Sequence, residues 1–141
     1  MYATLSDMQT RFGEREIIQL SDRSIPPTGL VDATVVDTAL ADASAEIDSW
    51  IMGRYPLPLG EIPPVLVGLC CDMARLRLCT DHPPENVREK YEQALGFLKA
   101  VQSGKAHLGL SGESESAQTS AHRVDYSASE PVFNSRSLKD Y

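Results

Sequence analysis

A chain of 141 residues, 42% hydrophobic and 23% charged, carries enough apolar material for one domain with its own core, so neither disulfides nor a structural metal has to hold it together. Its net charge is −7 and its Lys and Arg residues are scattered, which argues against a protein that grips phosphates to read DNA sequence. No apolar run approaches the roughly 20 residues of a bilayer span, and the opening MYATLSDMQTRF lacks the basic-then-apolar character of a signal peptide; the expectation is a soluble protein that stays where it is made.

The first element starts after Thr4. Thr4 followed by Asp7 predicts an N-cap with a carboxylate at the third helical position, and Leu5, Met8 and Phe12 then fall at helical spacing. Gly13 breaks the turn. The stretch from Glu14 to Leu20 resumes it with Ile17, Ile18 and Leu20, so two short helices, or one broken at Gly13, are expected. Ser21 to Gly29, SDRSIPPTG, is turn chemistry.

Asp32 is a good N-cap for the next helix. Val36, Leu40, Ala43, Ile47, Trp50 and Ile51 make one face of a 3.6-residue repeat. Asp37, Asp42, Glu46 and Asp48 fall opposite, where carboxylates are expected to be solvated rather than catalytic or metal-binding. Gly53 and Pro56 end an element of about 20 residues, hence about 30 Å long.

GRYPLPLGEIPP, Gly53 to Pro64, could be a docking peptide or an elbow between helices. No basic residue flanks it as in a polyproline ligand. Proline's fixed φ and missing donor suit helix boundaries, so the elbow is the expectation, with Pro64 in the first turn of the following helix. That helix is apolar over most of its girth (Val65, Leu66, Leu69, Cys70, Met73, Leu76) and is therefore expected between neighbours. Asp72 and Arg75 are spaced to pair. Cys70, Cys71 and Cys79, all placed in this helix, lack metal-site spacing and read as buried free thiols.

Pro83 and Pro84 repeat the device. Glu85 suits the helix N-terminus, Val87, Tyr91, Ala94, Leu98 and Val101 form the stripe, and Gly104 is the expected cap. Together these patterns predict an all-α fold: a small bundle of four to five helices over residues 1–104, followed by an extended C-terminal arm, 105–141. Leu40, Ile47, Trp50, Leu69, Met73, Tyr91 and Leu98 are its expected core.

The arm is rich in Ser, Ala and Gly, with isolated apolar residues. The residues leave two readings open: a loose terminus, or an arm that orders on a neighbouring protein. In the second, Val124, Tyr126, Val132 and Phe133 are the candidate anchors, and Pro131 holds Glu130 extended. His82, His107 and His122 are far apart, and no nucleophile elbow, metal motif or phosphate loop is present in the sequence. No catalytic residue, metal or cofactor is assigned.

Taken together, MYATLSDMQTRFGEREIIQLSDR, VVDTALADASAEIDSWIMGRYPLPL, PPVLVGLCCDMARLRL and VREKYEQALGFLKAVQSGKAHLGL resemble the head–tail joining proteins of Mu-like phages and prophages, over roughly Met1 to Leu110. The more specific parts are the N-terminal YAT…RFG and ALADASAEID…GRYPLPL; after Ser111 the match is weak. The resemblance implies a non-enzymatic structural subunit of the virion, assembled in the host bacterial cytoplasm. It implies a ring, commonly a dodecamer, beneath the portal protein, with DNA passing through without sequence-specific binding. It also implies a tail-side stopper or tail terminator docking below; no membrane partner is expected, because no apolar run is long enough. The competing reading is a monomeric helical module that regulates genes or binds a host protein. The Pro64 helix offers a DNA groove only Arg75 and Arg77, and its apolar girth favours burial.

Overall fold

The computed structural model describes residues 1–110 and shows an all-α body. In chain order its helices are α1 Leu5–Phe12, α2 Glu14–Ser21, α3 Ala33–Ile51, α4 Pro64–Leu78 and α5 Glu85–Gln102. The candidate anchors Val124, Tyr126, Val132 and Phe133, with His122 and Pro131, lie outside the described residues.

Local chemistry sets the helix limits. Thr4 and Asp7 form a reciprocal capping box, each bonding the other's backbone N–H. Gly13 separates α1 from α2 at φ 88 and ψ 143, a conformation that L side chains rarely adopt. The Asp32 carboxylate accepts from the N–H groups of Thr34 and Val35 at the head of α3. Pro64 occupies the first turn of α4, and Pro84 precedes the first residue of α5. At the end of α5, Gly104 has φ 80; its N–H reaches the Val101 carbonyl at 3.0 Å and the Lys105 N–H reaches Ala100 at 2.8 Å. This paired closure satisfies carbonyls that the helix itself leaves open.

α3 is the central strut. It packs on α4 and α5, and α1 and α2 cover the side shared with α4. Cross-chain contacts give the directions. Ser44 meets Cys70 midway, and Val35 shares a hollow with Leu78, so α4 runs antiparallel to α3. Tyr91 meets Glu46 and Leu108 meets Tyr55, so α5 runs parallel to α3. The body therefore has two poles. The pole at the start of α3 carries the α2–α3 and α4–α5 loops; the pole at its end carries the α3–α4 loop and Lys105–Leu110. The 19 residues of α3 separate them by about 27 Å.

Leu40, Ile47, Met73 and Leu98 are fully buried, with Met8, Ile17, Leu66 and Val101 around them. Trp50, Leu69 and Tyr91 are only partly buried, packed against the outside of this core. Val65, read as part of the α4 apolar girth, is exposed, while its neighbour Leu66 is fully buried, so Val65 lies on the outward side of the first turn of α4. The compact unit runs from Met1 to Leu110, so it continues past Gly104, where the composition changes: Leu108 is buried and its N–H bonds the Tyr55 hydroxyl at 3.3 Å. Among the described residues, no helix is long and apolar enough to cross a membrane.

Candidate functional site

Among the described residues, besides the Ser44–Cys70 contact, polar side chains tie separate parts of the chain to one another at three further places of note. The first is Glu46 on α3, which accepts from the Arg77 guanidinium of α4 and, at 2.9 Å, from the Tyr91 hydroxyl of α5. The second is Tyr2, whose hydroxyl donates to Asp48 and whose N–H donates to Ser44 Oγ at 3.1 Å. The third is Arg75 on α4, which donates from Nε to Glu16 of α2 at 2.7 Å and lies 4.5 Å over the Phe12 ring. Two expectations change. Glu46 and Asp48 are not merely solvated; each fastens a second part of the chain to α3. Arg75 pairs with Glu16 rather than with Asp72, because α2 presents a carboxylate directly over the α4 face from which Arg75 projects.

Burial pushes the Tyr91 hydroxyl above its usual range, and Glu46 adds to the shift; burial and then Asp48 do the same for Tyr2. Both tyrosines are thus held protonated, as donors. Cys70 and Cys71 are fully buried, and burial pushes Cys71 up to about 12. Cys79 departs from the expectation. It is the residue after α4, half-buried, and lines a groove. Its thiol is also raised by burial. Among the described residues no group of His, Cys, Asp and Glu could hold a metal ion.

The groove has a volume of about 800 Å³ and lies at the α3 N-terminal pole, between α2, the end of α4 and the start of α5. Phe12 and Leu20 supply partly exposed apolar surface, with the buried Leu78 and Val87 behind it; Arg15, Arg23, Asp81 and His82 supply charge and hydrogen-bonding groups. Arg15 and Arg23 have no ion-pair partner among the described residues, whereas Arg75 is engaged by Glu16. A smaller hollow of about 310 Å³ adjoins it, sharing Arg23 and Leu78. Sequence reasoning does not find this groove, because its residues come from two stretches, 12–23 and 75–87, far apart in the chain.

Exposed apolar side chains gather at the two poles. Ile25, 98% exposed, and Leu30, 69% exposed, stand on the α2–α3 loop. Met52, Leu57 and Ile62 stand on the α3–α4 loop, with Val65 just inside α4. Loops positioned by a rigid scaffold commonly carry contact residues, and clustered exposed apolar groups mark contact surfaces.

The profile of the family described as "Bacteriophage Mu, Gp36" matches residues 2–125. The chain belongs to the Bacteriophage Mu Gp36 family. Two relatives agree over most of their lengths. The chain is 35% identical to the "Mu-like prophage FluMu protein gp36" of Haemophilus influenzae over 119 residues, 84% of this chain and 83% of that protein. It is 31% identical to "Gene product J" of Escherichia phage Mu over 133 residues, 94% of each chain. The Mu Gp36 match thus takes in the whole helical body, from the Tyr2 anchor through the Leu108 contact.

Proposed function

We propose that this Mu Gp36 family member is a structural, non-enzymatic subunit of the phage particle: an adaptor between head and tail. In this reading copies form a ring, commonly of twelve, beneath the portal protein. DNA passes through the ring without sequence-specific contacts, and a tail-side stopper or tail terminator docks below.

The observation that carries the reading is the two-pole body. An adaptor has to meet different proteins above and below. Here a rigid strut of about 27 Å separates two loops with different exposed apolar residues, Ile25 and Leu30 at one pole and Met52, Leu57 and Ile62 at the other. The resemblance to head–tail joining proteins spans the same stretch, Met1 to Leu110, that forms the compact unit. A net charge of −7 suits a wall past which DNA slides. Unlike surfaces on one subunit also suit heterologous contacts, which close into rings when the rotation allows. Weak single contacts repeated around a ring give strong attachment.

The test is deletion of the gene from the phage or prophage that carries it, followed by electron microscopy of the lysate. DNA-filled heads accumulating beside free, finished tails, with joining restored when the purified chain is added, is the expected result. Normal tailed particles in the deletion strain, or heads that never fill, would exclude the adaptor role.

A further inference from the structure

The groove at the α3 N-terminal pole has an occupant written in the same chain. We propose that it receives the acidic, aromatic stretch Val124–Phe133 of a neighbouring copy. The choice of a neighbour rests on the ring reading; the pairing of groove and stretch does not.

The groove's chemistry sets the requirement. At about 800 Å³ this open groove is within the size range of ligand-binding clefts. Its lining is mixed: Phe12 and Leu20 leave partly exposed apolar surface, and Arg15 and Arg23 line it with no ion-pair partner among the described residues. Two such arginines, on a chain of net charge −7, select for carboxylates. The walls select for aromatic or branched side chains between those carboxylates. Asp81, also lining the groove, disfavours a strongly acidic ligand and so limits the match to a few charges.

VDYSASEPVF meets that requirement. Asp125 and Glu130 give it a charge of −2, with Arg123 and Arg136 flanking it, and Val124, Tyr126, Val132 and Phe133 are interleaved with the carboxylates. Other acidic residues after Leu110 fit less well. Glu113 and Glu115 lie among Ser and Gly, and Asp140 follows Lys139.

Chain length permits the connection. Leu110 lies at the α3 C-terminal pole, beyond the Tyr55–Leu108 contact. The 14 residues from there to Val124 reach at most about 46–50 Å, against the roughly 27 Å between poles. A copy packed alongside is therefore within range. A link from one pole of a subunit to the opposite pole of the next is directional, which is what ring closure requires.

Cys79 makes the proposal measurable, since it lines the groove while Cys70 and Cys71 are fully buried. Full-length Phe133→Cys protein, prepared as a mixture of isotope-labelled and unlabelled chains, would be oxidised both at high concentration and in purified particles. Linked peptides would then be identified by mass spectrometry. The expected product is a disulfide from Cys79 of one chain to position 133 of another, well above a Ser111→Cys control. Arg15→Glu with Arg23→Glu should abolish it, and adding Asp125→Arg with Glu130→Arg should restore it, which a merely misfolded variant would not do. A disulfide confined within single chains overturns the neighbour, and no disulfide above the control in either sample overturns the pairing. Failure of the head–tail reading is a separate outcome, seen as joined particles in the deletion strain while the cross-link persists.

Discussion

The Tyr91 hydroxyl of α5 donates to Glu46 of α3 at 2.9 Å, and the same carboxylate takes the Arg77 guanidinium of α4. One side chain on the strut therefore fastens both helices packed on it. Removing a single donor costs a modest net amount, while removing the shared acceptor orphans two donors. Tyr91→Phe should lower stability by about 1 kcal/mol and Glu46→Ala by about twice that. Urea unfolding of the two variants checks the ratio; equal losses would mean the two bonds are not shared through Glu46.

Leu40 and Ile47 are fully buried on the α3 face that meets α4 and α5. Truncation leaves a cavity as well as lost transfer energy, so Leu40→Ala or Ile47→Ala should cost about 2–5 kcal/mol. Trp50→Ala, at a site only partly covered, should cost less than either. Thermal melts followed by circular dichroism would rank the three.

Gly13 holds a backbone conformation close to the region reserved for glycine, and a Cβ there would meet nothing within 4 Å. Any cost of substitution is therefore strain alone. Gly13→Ala should destabilise by about 1–3 kcal/mol. Gly60→Ala, also in open space but without positive φ, should be close to neutral. Comparing the two melts separates backbone strain from loss of space.

Cys71 keeps its proton in the fold up to about 12, against a usual 9.0. Above the unfolded value the unfolded chain has released a proton that the native state still holds, so alkali favours unfolding. The contribution is complete below about pH 9 and is lost at about 1.4 kcal/mol per pH unit between there and about pH 12. Tyr2 and Tyr91, raised in the same direction, steepen the fall above about pH 10. Urea midpoints at about pH 8 and about pH 10.5 should fall steeply for the parent and less steeply for Cys71→Ala.

Arg75 joins two effects, the Glu16 ion pair and the Phe12 ring. Arg75→Lys keeps the charge and loses the planar group that stacks. Its loss should be about 0.5–1 kcal/mol, and Arg75→Ala should lose about twice as much. A double-mutant cycle with Glu16→Gln reads the ion-pair share directly.

Local signals were legible and assembled ones were not. Thr4 with Asp7, Asp32, Pro64, Pro84 and Gly104 announce helix limits, because capping and proline chemistry act within a few residues. The α3 stripe likewise states its buried face, since the period is local. Asp48 and Glu46 look like solvated carboxylates from their own helix, because the groups that claim them arrive from Tyr2, Arg77 and Tyr91. Asp72 with Arg75 has good spacing for a pair, yet spacing within α4 cannot register Glu16 arriving from α2. The groove joins two stretches, 12–23 and 75–87, and nothing in either one announces the other, so Phe12 and Arg23 meet Cys79 and Val87 only in the folded body.

The Tyr2 anchor has a practical corollary. Tyr2 bonds Ser44 and Asp48 in the second half of α3, and Leu108 bonds Tyr55 just beyond it, so the polypeptide enters and leaves the body on the same side of its midpoint. An affinity tag or fluorophore fused ahead of the exposed Met1 would project from that side. Arginine-rimmed binding at the far end could then be assayed on labelled protein without the label crowding it.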